Sequence, residues 1–138
     1  MKFVVLSLTA LAVTGCVGAR GTSGTETAGR APPVGSTALT IEISAGKSDR
    51  LTKVWTLTCP DQGSLPQPRR ACERLAPMKK PFAATPKSSA CTLVYGGPQV
   101  ATVRGRFRGR TVSTRFSRTN GCEISRWNRV RFLFPGVR

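Results

Sequence analysis

Apolar and polar side chains alternate with a period of two in several stretches of the chain, the pattern of strands that bury one face. In residues 37–45, Leu39, Ile41 and Ile43 fall on one face and Thr40, Glu42 and Ser44 on the other. Residues 53–59 repeat the alternation, with Val54, Thr56 and Thr58 opposed to Trp55, Leu57 and Cys59. Residues 100–107 and 110–117 predict a hairpin in which Val103 and Phe107 share one face and Arg104 and Arg106 the other. Arg108-Gly109 lies between the two runs, and a glycine there supplies the positive φ that a tight hairpin turn often needs. Residues 129–134 alternate again, Val130, Phe132 and Phe134 against Arg129, Arg131 and Leu133, and predict a closing fifth strand. Pro68 followed by Arg69-Arg70-Ala71-Cys72-Glu73-Arg74-Leu75 suits a short helix with proline in its first turn. Pro77, Pro81 and Pro86 keep the next stretch irregular. The expected fold is α+β: an antiparallel five-stranded sheet with one or two short helices packed on one face.

The chain's beginning reads differently. Lys2 precedes an apolar run from Phe3 to Val13, the layout of a secretory signal and too short to span a bilayer. Val13-Thr14-Gly15-Cys16 resembles a bacterial lipobox, in which Cys16 would be acylated and become the new N-terminus. The alternative is an ordinary signal peptide cut slightly later. Residues 17–36 are rich in Gly, Thr, Ser, Ala and Pro, with almost no large apolar side chain. Such a segment buries too little surface to offset its ordering entropy and reads as a flexible tether. The expected organisation is a signal at 1–15, a tether at 16–36 and one folded domain at 37–138, exported and either secreted or held at the outer face of the cell membrane through Cys16.

Composition narrows the chemistry. The five cysteines are Cys16, Cys59, Cys72, Cys91 and Cys122. An oxidising compartment favours an even, paired set, and assigning Cys16 to lipid leaves four, which allow three pairings that spacing does not decide. The chain has no histidine. Ser-His-Asp and Cys-His catalysis and histidine-based zinc or haem sites are therefore excluded. Its six carboxylates, Glu26, Glu42, Asp49, Asp61, Glu73 and Glu123, are scattered. No acid–base pair emerges, so neither an enzyme nor a metal or cofactor site is expected. The net charge is +16 and loses only Lys2 with the signal. From Arg104 to the end there are ten arginines and one acid, Glu123. A basic face of Arg104, Arg106, Arg108 and Arg110 suits an anionic polymer or the cell-envelope surface. Period-two arginine is equally what the solvated face of any amphipathic strand shows, and no nucleic-acid motif accompanies it.

The segment with most chemical information is Ala90-Cys91-Thr92-Leu93-Val94-Tyr95. It stands in order with Thr58-Cys59-Pro60, Ala71-Cys72 with Leu75, Gly105-Arg106-Phe107-Arg108-Gly109-Arg110 with Val112-Ser113, Asn120-Gly121-Cys122-Glu123 and Phe132-Leu133-Phe134. In this order and at this cysteine spacing the chain resembles the Streptomyces subtilisin inhibitor family over roughly residues 39–134, nearly the whole expected domain. The resemblance implies disulfides Cys59–Cys72 and Cys91–Cys122. It implies a serine protease inhibitor with Leu93 as the primary-specificity residue and Val94 across the scissile bond, directed at extracellular subtilisin-like or chymotrypsin-like enzymes. It further implies a homodimer formed through the sheet, which an arginine-rich hairpin on the same face would oppose.

The residue types suit that role. A substrate-like inhibitor must hold its loop rigidly, and a disulfide at Cys91, two residues before Leu93, reduces the ordering cost on binding. β-Branched Thr92 favours the extended backbone that a protease groove accepts. Leu93 is apolar and flexible enough to fill a hydrophobic pocket. The chain departs from the family after Tyr95, where Gly96-Gly97-Pro98 stands in place of an acidic residue and proline, and the glycine pair predicts a looser far side of the loop. A structural alternative keeps Leu93-Val94-Tyr95 as a buried strand beside a disulfide; a separate functional alternative is a lipid-anchored cell-surface module that binds an anionic polymer through its basic face.

Overall fold

The computed structural model describes residues 35–45 and 51–137. The expected signal, Cys16 and residues 17–34 of the expected tether lie outside the described residues. Strands β1 (Ala38–Ser44), β2 (Leu51–Thr58), β3 (Val100–Phe107) and β4 (Arg110–Phe116) form one antiparallel sheet in the order β2-β1-β3-β4. Helix α1 (Pro68–Leu75) follows β2, with proline in its first turn. Helix α2 (Gly121–Val130) follows β4 and runs into a short 3-10 turn, Arg131–Leu133. Among the described residues no helix is long and apolar enough to cross a membrane.

The alternation in β1 and β3 directs their apolar residues to a single core. Leu39, Ile41, Ile43, Ala101, Val103 and Phe107 are buried, and Leu57 and Phe116 join them from β2 and β4. The helices close this face with Ala71, Cys72 and Leu75 from α1, and with Trp127 and Val130 from α2. The Phe134 ring packs at a tilt against Trp127 and Phe116, with centroids 4.6 Å and 5.4 Å away. The β3–β4 turn has positive φ at both central residues, 51° at Arg108 and 78° at Gly109. Backbone twist in such a turn matches that of the strands it joins.

Residues 129–134 do not form a fifth strand, which corrects the expectation from their alternation. Val130 ends α2, and Arg131 to Leu133 continue as the 3-10 turn. Trp127, Val130, Leu133 and Phe134 are the buried positions, and Phe132 only packs against the core's rim. That spacing of three and four belongs to a helix. In a six-residue window the two periods overlap, because 130 and 134 are inward in both. What decides between them lies upstream: Asn120 accepts a hydrogen bond from Glu123 N at 3.0 Å and starts a helix at Gly121.

Candidate functional site: an exposed loop seated on helix α2

Between Phe82 and β3 the chain has no regular secondary structure. Ala90 and Thr92 are exposed and Cys91 is half-buried. Leu93 is 98% exposed, Val94 58% and Tyr95 64%. Three consecutive apolar or aromatic side chains therefore project into solvent, an arrangement that folding alone does not reward. The reading of this segment as a buried strand is overturned by that exposure.

The loop is nonetheless tied down on both sides. Cys91 is bonded to Cys122 in the first turn of α2. The carbonyl of Thr92 accepts a hydrogen bond from Gly121 N at 3.0 Å. On the far side Gly96 N donates to the Arg118 carbonyl at 2.7 Å. A Cβ built at Gly96 would stand 3.0 Å from Ile124 Cδ1 and 3.2 Å from Arg118 Cβ, and Gly97 has φ of 127°. The two glycines do not leave the far side loose: one admits a close approach, and the other takes a backbone shape that side chains resist. Gly121 plays a matching part under the near side, where a Cβ would overlap Thr92 Oγ1. The second disulfide, Cys59–Cys72, instead joins the end of β2 to α1.

Beneath the loop lies a buried polar cluster. Arg126, 8% exposed, donates from Nε to the Ala83 carbonyl at 2.9 Å and from Nη1 to Glu123 Oε2 at 2.6 Å. It also reaches the Arg115 carbonyl at 3.3 Å and Thr114 Oγ1 at 3.2 Å. Glu123 Oε1 accepts from Thr85 Oγ1 at 2.9 Å. Thus residues 120–126 touch the loop at Ala83, Thr85, Cys91, Thr92 and Gly96. The alternation-based reading passed over Arg126 and Thr85. The signal for α2 was present in Asn120-x-x-Glu123, a capping pattern, followed by Ile124, Trp127 and Val130 at helical spacing.

Arg104, Arg106, Arg108 and Arg110, four of the hairpin's five arginines, do not share one sheet face. By register Arg104 and Arg106 lie opposite Ser113 and Thr111, on the sheet face away from the core. Arg104 pairs with Glu42 at 2.9 Å, and Arg106 donates to the Gly109 carbonyl at 2.7 Å. Arg108, in the turn, reaches the Ala76 carbonyl at the end of α1 and lies over the Phe107 ring at 5.0 Å. Arg110 opens β4 opposite Phe107. Among the described residues no group of His, Cys, Asp and Glu is placed to hold a metal ion.

The family model described as "Subtilisin inhibitor-like" matches residues 35–120, which include the whole exposed loop. The chain belongs to the subtilisin inhibitor-like family. Members of this family are protease inhibitors, not enzymes. The chain is also similar to a solved structure, Streptomyces caespitosus sermetstatin in complex with Bacillus licheniformis subtilisin. That likeness has 24% identity and a TM-score of 0.44, over 74% of this chain and 97% of that one. No curated protein matches the chain.

Proposed function

We propose that this member of the subtilisin inhibitor-like family blocks subtilisin-like serine proteases by offering Leu93–Val94 as a bond that is cut slowly and resealed. The observation that carries the reading is the 98% exposure of Leu93 on a loop anchored at both ends. Residues 90–92 would pair with the edge of the protease's groove as an added strand, and Leu93 would fill its apolar pocket. Attack of the protease serine on the Leu93 carbonyl expels the Val94 amine and leaves an acyl ester. The upstream end stays tied through Thr92–Gly121 and Cys91–Cys122, and the downstream end through Gly96–Arg118. The amine therefore remains beside the ester and can attack it, reforming the peptide and freeing the serine. Chymotrypsin-like enzymes, which also accept apolar side chains, are the second target class.

Titrating subtilisin with purified protein tests this directly. Activity should fall in proportion to inhibitor added, with slow cleavage confined to Leu93–Val94. Full activity at large molar excess would rule the function out.

The seat of the loop makes a finer prediction. Gly121→Ala places a methyl group against Thr92 Oγ1, so either the threonine rotamer or the loop must shift. Overpacking of this kind typically costs about 1–3 kcal/mol, so inhibition should weaken by roughly tenfold. In a Thr92→Ala background the same change should cost much less, because the overlapping atom is gone. Equal losses in both backgrounds would show that the contact does not govern the loop.

We also propose export with lipid on Cys16, supported by the apolar run before it and by the odd cysteine it accounts for. Mass analysis of membrane-extracted protein should find an acylated N-terminal Cys16. A mature chain that starts beyond Cys16 would exclude the anchor.

A further inference from the structure

A buried guanidinium is expensive unless its donors are satisfied, and Arg126 satisfies them in an informative way. Its side chain is 9% exposed and that of its partner Glu123 is 19% exposed. Two of its acceptors, the Arg115 carbonyl and Thr114 Oγ1, lie on β4, and its Cζ stands 4.8 Å over the Phe116 ring of the same strand. A third acceptor, the Ala83 carbonyl, belongs to the irregular segment that leads to the exposed loop. Glu123 extends the same reach, holding Arg126 with Oε2 and Thr85 Oγ1 with Oε1. Between this fastening and the next one, at Cys91, residues 86–90 are exposed. The segment from Ala83 to Thr92 is thus an excursion closed at one end by a disulfide and at the other by a charge-assisted network, both set on α2. A disulfide alone fixes only one end of such a segment.

We infer that Arg126 and Glu123 are positioning residues of the inhibitory loop: they hold the irregular segment that enters it through Ala83 and Thr85, and so govern how slowly Leu93–Val94 is cut. The inference rests on the inhibitor reading proposed above. A charge-assisted hydrogen bond is about twice as strong as a neutral one, and a planar guanidinium directs several at fixed angles. Lysine keeps the charge but not the fork, and cannot reach β4, Glu123 and Ala83 together. Because Arg126 grips both the sheet and the loop, motion of residues 83–85 relative to the core is opposed from two directions.

The experiment compares three full-length variants with the wild type. Thr85→Ala removes only the hydroxyl that ties the loop to Glu123. Arg126→Lys weakens the fork, and Val130→Ala, in the core at the far end of α2, serves as a control for loss of stability alone. Three quantities are read well below each protein's unfolding temperature: the inhibition constant for subtilisin, the rate of cleavage at Leu93–Val94, and amide exchange in residues 83–92. Arg126→Lys should raise the cleavage rate and the inhibition constant about tenfold or more, the scale of one lost buried charge-assisted hydrogen bond. Thr85→Ala should raise both several-fold with almost no change in unfolding temperature. Exchange in residues 83–92 should quicken in both, and the control should leave all three readings near wild type. If both loop variants match the wild type, or the control matches Arg126→Lys, the pair is only a strut of the core and the inference fails. If the wild type does not inhibit at all, the functional reading fails instead. The exchange readings then decide the positioning claim alone: unchanged exchange overturns it, and faster exchange in both loop variants sustains it.

Discussion

Leu93→Ala is expected to weaken binding to subtilisin by roughly thirty-fold to a thousand-fold, corresponding to about 2–4 kcal/mol for truncating a central anchor. The side chain is 98% exposed in the free protein, so its removal leaves no cavity and does not disturb the core. The whole loss should therefore appear in the complex, with the unfolding temperature unchanged. Leu93→Lys should reverse the specificity on the same scaffold, since trypsin's pocket carries an aspartate that wants a cation while an apolar pocket rejects one. Inhibition constants against subtilisin, chymotrypsin and trypsin for the three proteins settle the matter. A Leu93→Lys protein that gains nothing against trypsin would remove Leu93 from the specificity position.

Opening the Cys91–Cys122 bond is the second large effect. These cysteines are 31 residues apart in sequence, and closing a loop of that length is worth about 3.7 kcal/mol on the chain-entropy estimate. The cost to function is separate from this. Without the bond, Cys91 no longer holds the segment just before Leu93, and the loop must be ordered when the protease binds. Cys91→Ser with Cys122→Ser should therefore turn a slow substrate into an ordinary one, cut at Leu93–Val94 on the order of a hundred-fold faster, an effect of about 3 kcal/mol. The matched comparison is Cys59→Ser with Cys72→Ser. That pair is 13 residues apart and worth about 3 kcal/mol of stability by the same estimate. It joins β2 to α1, away from the loop, so inhibition at low temperature should survive its loss. Both double mutants should melt earlier, and only the first should be cut rapidly. Similar cleavage rates in the two would mean that the disulfide acts through global stability alone.

Which parts of this arrangement were legible beforehand depended on how local their cause is. β1, β3 and β4 were readable because Leu39-Ile41-Ile43, Val103-Phe107 and the Arg108-Gly109 turn carry their own instructions: a period of two and a turn whose backbone shape glycine favours. Helix α1 was readable from Pro68, and membership of the family from Cys91-Thr92-Leu93-Val94-Tyr95 within its series of motifs. The final segment was not. Val130, Phe132 and Phe134 alternate as in a strand, but the core takes up Val130, Leu133 and Phe134, with the Phe134 ring against Trp127, instead. Competition of that kind is settled by packing, since a six-residue pattern fits either period.

The loop divides along the same line. Its residue types, an apolar Leu93 beside a cysteine and a β-branched threonine, follow from sequence alone, as do the absence of histidine and the strongly basic charge. Its exposure, its two-sided anchoring on Arg118 and Gly121, and the Arg126–Glu123 network beneath it required the folded chain. Gly96 shows why. In sequence a glycine pair means backbone freedom, whereas in the fold the missing side chain is what lets Ile124 and Arg118 close upon it. Composition and periodicity report what each residue can do locally. Only when α2 is laid against β4 do Ala83 and Arg126, 43 residues apart along the chain, and Thr85 and Glu123, 38 apart, become neighbours beneath the exposed loop.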